Sequence, residues 1–285
     1  MFRLVWRYPT FLTLLAVLLG AFLRVHQLGS VPPGLHYDFA ANAILANNIA
    51  FGNFREVFIS AYTGKEVLFF YSAALLFKFV GSSIFALQLT AALYGVLGLA
   101  ACHFAARQLT WGWPQSKWIA AFATAVMAFT FMHLVWSRYG ERATTEPLVQ
   151  GLAIGFLFRG LRLSQAKKNP YLDFFLAGAF TGLAAYTYLA ARLFPIPIAI
   201  ALISFLIVEL KTHRPPFTPS PLHLFKSLAL FALAALLVFA PARTLLPPTP
   251  RNLPRPRQPT DTQSRRNRAF VARHLRRAWH DLCLW

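Results

Sequence analysis

The sequence predicts an all-α membrane protein of about seven transmembrane helices. Three observations carry that expectation. The 285 residues are 57% hydrophobic and only 13% charged, with mean hydropathy +0.49. A water-soluble domain of this size needs far more charged surface, so the apolar side chains are expected to face lipid. Apolar stretches of roughly 20 residues, the length that crosses the hydrocarbon, recur along the chain. Basic residues gather in alternate loops, the pattern that orients helices in a bilayer.

The first stretch, 8–28, follows Arg3 and Arg7 and so resembles a signal peptide. It runs into Leu23-Arg24-Val25-His26 with no small-residue cleavage site, and reads as a retained signal anchor. Further stretches fall at 84–106, 118–136, 147–164, 171–190, 193–210 and 226–242. A shorter one, 66–80, contains Lys78 and reads either as an eighth span or as an interfacial helix. If 66–80 does not cross, the N-terminus and the loops holding Arg107/Lys117, Arg159/Arg162/Lys167/Lys168 and Lys211/Arg214/Lys226 are all cytoplasmic. That arrangement is favoured. It makes 29–83 one long external segment, with 137–146 and 188–195 external as well. Within the segment, Asp38 precedes a helix-compatible run from Phe39 to Phe51. Leu45 and Ile49 can share one of its faces, while Asn42, Asn47 and Asn48 are polar. Thr63-Gly-Lys-Glu66 fits a capping box, with Thr63 as N-cap and Glu66 at the third helical position. Two short helices along the outer membrane surface are expected.

Residues 1–240 thus form a transmembrane domain, and 241–285 a tail of different character. The tail holds seven prolines and ten arginines, no lysine, and no apolar run able to span. Arg-Pro alternation around Arg251–Arg257 builds no core. The tail reads as disordered basic chain or, as favoured here, as the product of a shifted reading frame beginning near Ala240–Arg243. On the topology above, its arginines would lie outside, against the positive-inside pattern. The total charge of +19 therefore reads as orientation plus tail, not as a nucleic-acid footprint. Cys102 and Cys283 form no disulfide, metal or redox spacing.

Ionisable groups converge on the external ends: Asp38, Lys65, Glu66, Arg138, Glu141, Arg142 and Arg192, with Tyr186 and Tyr188. Charges close to hydrocarbon are costly, so such a cluster invites a functional reading. Each also has a plainer one. Asp38 suits a helix N-cap, and Glu66 the capping box. Lys65 would sit in the first turn of a helix, where a cation is disfavoured unless an anion binds there. Arg138 and Arg142, spaced i, i+4, could grip an anion together or snorkel to headgroups. The tyrosines suit an aromatic belt.

Four stretches taken in order resemble the membrane glycosyltransferases of the GT-C fold, related to the protein O-mannosyltransferases (glycosyltransferase family 39) and the lipid A aminoarabinose transferases. They are Leu28-Gly-Ser-Val-Pro-Pro-Gly-Leu-His-Tyr-Asp38, Tyr62-Thr-Gly-Lys-Glu-Val-Leu-Phe-Phe-Tyr71, Ser137-Arg-Tyr-Gly-Glu-Arg142 and Tyr186-Thr-Tyr-Leu-Ala-Ala-Arg192. The resemblance covers about residues 8–240 and rests on order and sidedness, since no single motif is specific. It implies sugar transfer from a polyprenyl-phosphate donor to an external lipid, glycan or protein acceptor. It matches Asp38 to an acidic catalytic position and Lys65 to a lysine near the donor phosphate. More loosely, it matches Arg138, Arg142 and Arg192 to phosphate- or substrate-facing residues, and Glu66 and Tyr188 lie among the substrate-contacting candidates. The chemistry is coherent: cations stabilise a departing phosphate, and a carboxylate accepts the acceptor's proton or binds a divalent cation. The chain departs from the family at Phe39, where a second carboxylate is expected.

Overall fold

The computed structural model describes residues 8–30, 37–52, 54–59, 64–211 and 221–241, together with 265 and 269. Among them are ten α-helices, two 3-10 turns and one two-residue β-pair. In order these are α1 (Pro9–Val25), α2 (Tyr37–Phe51), β1 (Phe58–Ile59), β2 (Lys65–Glu66), α3 (Leu68–Val80), α4 (Ile84–Leu109), α5 (Ser116–Phe129) and α6 (Phe131–Tyr139). A 3-10 turn (Arg142–Thr145) leads into α7 (Glu146–Gln165) and α8 (Tyr171–Ala184). A second (Leu189–Leu193) precedes α9 (Pro195–Lys211) and α10 (Pro221–Phe239).

A helix thus lies at each expected apolar stretch, but among the described residues length and composition suit only two helical segments to crossing a membrane unaided. These are Ile84–Leu109 and Leu189–Ile207; the bent pair α5–α6 makes a third if it forms one span. The remaining apolar helices are shorter. The outward surface is rich in large apolar side chains, among them Leu14, Leu18 and Phe22 of α1, Phe122 and Val126 of α5, and Ile200 and Ile203 of α9.

Local sequence explains the boundaries. Pro9 opens α1, where its missing N–H costs nothing. The Ser83 side chain caps α4 by accepting from the Ala86 N–H at 3.1 Å. Gly140, left-handed at φ +70°, ends α6. Between α5 and α6, Thr130 is extended, and the two helix axes meet at 57°.

Two apolar cores result. One joins α2, Ile59, α3 and the first half of α4, closed by Ala185 and Tyr186. The other joins α7, α8 and α9. The described parts of the segment between α1 and α4 therefore form a packed subdomain, not only helices at a surface. Leu45 is buried there, with Ile49 against the same cluster. Two expectations about its local structure are overturned. Helix α3 begins at Leu68 with Val67 at the cap and no side-chain cap bond, so Glu66 is not a capping-box partner. Lys65 and Glu66 instead form β2, paired antiparallel with β1 in the register Phe58↔Glu66 and Ile59↔Lys65. Gly64, at φ +86°, leads into that strand. The proposed N-cap Thr63 lies outside the described residues. Nearly all of the tail from Pro241 onward does too, and with it the expected frame shift.

Candidate functional site

The β-pair places Lys65 and Glu66 side by side, and both are buried. Successive strand residues point to opposite faces, so the two side chains enter different surroundings. Lys65 meets α2. Its Nζ donates to Asn42 Oδ1 at 2.8 Å, and the Asn42 amide donates to Gly140 O at 3.2 Å and to Glu141 Oε1 at 3.3 Å. Asn42 is fully buried and ties three chain segments together. Glu66 meets two arginines. Arg192 donates to its Oε1 at 3.0 Å, and Arg142 Nε lies 3.4 Å from its Oε2. The Arg142 guanidinium stands over the Tyr188 ring at 5.2 Å, and that of Arg192 over Phe58 at 5.7 Å.

The sequence candidates divide accordingly. Lys65, Glu66, Arg142, Arg192 and Tyr188 are brought together. Asp38 is exposed in the first turn of α2, not at its cap, and its charge acts on both Lys65 and Glu141. Arg138 is not brought to Arg142, because α6 ends at Tyr139 and the i, i+4 spacing never becomes a helical face. Its guanidinium turns back to the end of α1, donating to Leu23 O and, at 3.5 Å, to Gln27 O. Tyr186 is no belt residue. It is buried, and its hydroxyl donates to Val238 O at 2.9 Å. Phe39 is buried in the core against Tyr139, ring to ring at 6.3 Å.

Electrostatically the centre is coupled. Burial pushes the Lys65 ammonium below its ordinary value and Arg142 adds to that, while Glu141 and Asp38 oppose it. Burial raises the Glu141 carboxyl above its usual 4.5, against the pull of Lys65. A carboxyl whose folded value is raised contributes stability fully present below the unfolded value and lost as pH rises through the folded one. Glu141→Gln is therefore expected to raise the thermal midpoint relative to wild type more at pH 7 than at pH 4.5. Midpoints measured across that interval check it, and a difference that shrinks toward pH 7 contradicts it.

Two residues that sequence reasoning missed form a second polar group. Arg24 of α1 is fully buried, donating to Gly20 O at 2.8 Å and Ala128 O at 3.2 Å, with a 2.6 Å contact to His133 Nδ1. An arginine cannot accept, so this contact fixes His133 as the Nε2–H tautomer. Arg24 Nε and His133 Nε2 are buried without hydrogen-bond partners. The available signal was an arginine placed one residue before the end of an apolar helix, opposite a histidine beside a helix break.

An apolar slot of about 310 Å³ runs between α8, α9 and α10, and Arg192 lies on its wall. Thr181, Ala185, Ile198, Phe231 and Leu236 line it, so one cationic group stands beside an otherwise largely apolar cavity. Among the described residues, no three His, Cys, Asp or Glu side chains group to hold a metal ion. Asp38 alone is a poor cation cage. Comparisons with protein-family models, with curated proteins and with solved structures give no match.

Proposed function

We propose that the chain is a multi-pass membrane glycosyltransferase that takes sugar from a polyprenyl-phosphate carrier. One observation carries the reading: the apolar slot reaches Arg192, and Arg192 shares Glu66 with Arg142. An isoprenoid chain is apolar and its phosphate anionic, so slot and guanidinium match the two parts of such a donor. One carboxylate between two guanidiniums leaves the trio net positive, and buried side chains hold it in place before any anion arrives. The outward apolar surface suits lipid, and on this reading the shorter helices complete about seven spans through tilt and neighbouring contacts. The basic loops set the N-terminus in the cytoplasm of a plasma or inner membrane and the Glu66 centre outside.

In the proposed reaction an acceptor hydroxyl oxygen forms a bond to the anomeric carbon. The bond from that carbon to the phosphate oxygen breaks, and the phosphate departs with the electron pair. Arg192 and Arg142 stabilise its charge, with Lys65 held nearby by Asn42. Asp38, exposed and close enough to act on Lys65, takes the hydroxyl proton. Asp38→Asn is expected to lower transfer by about 100- to 10,000-fold while leaving folding intact, the range of a lost general base. The check is transfer from a radiolabelled polyprenyl-phosphate sugar in proteoliposomes, and normal turnover in the variant would remove Asp38 from the reaction.

A second reading, a transporter or lipid-carrier flippase, is favoured by the 57° break at Thr130 with Arg24 and His133 beside it. Broken helices and buried ionisable groups are what transporters place along their paths. The same vesicles separate the two: flux of the carrier without sugar transfer supports this alternative.

A further inference from the structure

The end of the bundle opposite the Glu66 centre carries another cavity, lined mainly by polar side chains. It has about 170 Å³ and lies between the start of α1, the last turns of α4 and the start of α5. Its polar lining is Thr10, Thr13, His103, Arg107 and Lys117, and no carboxylate is among the residues that form it. Lys117 stands in the first turn of α5, where the helix dipole disfavours a cation. Neither α1 nor α5 has a side-chain cap bond or an acidic residue in its first turn. Two positive helix ends and the basic side chains thus meet around one space. Arg107 is already oriented: its NH1 donates to Ser116 Oγ at 2.5 Å, and its guanidinium lies 5.5 Å from the Trp111 ring centre. Trp111 and Trp113 are exposed in the adjoining turn, as indoles are at the headgroup level of a bilayer.

We propose that this cavity binds a phosphate group, contacted by Arg107, Lys117 and the Thr10 hydroxyl, at the membrane face opposite the Glu66 centre; the Thr13 hydroxyl is taken up by Pro9 O at 3.0 Å. The concentration of like charge is unfavourable while the space holds no anion. A phosphate satisfies both helix ends and both cations at once. The phosphate belongs to an anionic phospholipid headgroup or is free in solution, and the same test distinguishes these sources. It does not depend on the glycosyltransferase reading.

The experiment uses the full chain in neutral detergent, titrated with phosphatidylglycerol, with phosphatidylcholine, or with inorganic phosphate against chloride at equal ionic strength. Thermal unfolding is the readout. Phosphatidylglycerol is expected to raise the midpoint saturably while phosphatidylcholine does not. Lys117→Gln should need roughly tenfold more of it, the size of one charge-assisted hydrogen bond. Lys117 is exposed, so this variant is expected to fold. Arg107→Gln is the stronger perturbation and should abolish the response. If inorganic phosphate alone gives the same Lys117-dependent stabilisation, the site takes free phosphate. Equal responses to the two lipids with none to phosphate, or identical titrations for wild type and Lys117→Gln, overturn the proposal.

Discussion

Glu66→Ala is expected to cost about 3 kcal/mol of stability, a fall on the order of 6–10 °C in thermal midpoint. Glu66 is 2% exposed, whereas the side chains of Arg142 and Arg192 are 15% and 31% exposed. Removing one partner of a buried pair typically costs about 3–5 kcal/mol because the other charge is stranded. Here the stranded groups retain some water, which places the expectation at the lower end. The variant leaves Arg142 and Arg192 without the carboxylate between them, in the same subdomain as the Lys65 ammonium. Their separation should loosen the β-pair and the start of α3, where Leu68 N donates to Tyr186 O at 3.1 Å. Opening there precedes global unfolding, so limited proteolysis should cut between α2 and α3 before elsewhere. Glu66→Gln keeps an acceptor for Arg192 and should lose less. An unchanged midpoint in Glu66→Ala would mean that the ion pairs contribute nothing to the fold.

What could be read from the sequence follows from how each signal is encoded. Helix positions came through because a run of twenty apolar residues has few alternatives, and α4 and α9 lie where hydropathy placed them. The convergence of Lys65, Glu66, Arg142 and Arg192 was also legible, since charged residues at the same ends of successive helices must meet at one face. Partners were not. Pairing of Glu66 with two arginines depends on a two-residue strand that no periodicity announces. The capping pattern at 63–66 was a real local signal that tertiary pairing overrode. Asn42 read as a polar face, yet it is buried, because burial of an amide is decided by whether Gly140 and Lys65 arrive to satisfy it. Arg138 misled for a simpler reason: i, i+4 spacing means a shared face only while the helix continues, and Gly140 ends it. One signal was present and overlooked. Gly178-Ala-Phe-Thr-Gly182 is the small-residue spacing by which membrane helices approach closely.

That motif sets the second large effect. A Cβ built on Gly178 would lie 2.1 Å from Phe231 O, and one on Gly182 2.4 Å from Ala235 O. Both obstacles are backbone of α10, so no side-chain rotation relieves them; the helices themselves must separate. Gly178→Val is therefore expected to cost about 3 kcal/mol, the upper end for overpacking, and Gly178→Ala a large part of it. Separation would also pull Val238 from the Tyr186 hydroxyl and remove one wall of the slot beside Arg192. The variant should consequently lose affinity for a polyprenyl phosphate more than it loses the response of the opposite cavity to phosphatidylglycerol. Gly98→Ala provides the control. Its nearest atom would be a side-chain carbon of Pro147 at 3.5 Å, ordinary contact, and its midpoint should stay near wild type. Equal midpoints for Gly178→Val and Gly98→Ala would show that α8 and α10 are not packed backbone to backbone. The slot would then lose its wall, and the donor-binding reading would lose the observation that carries it.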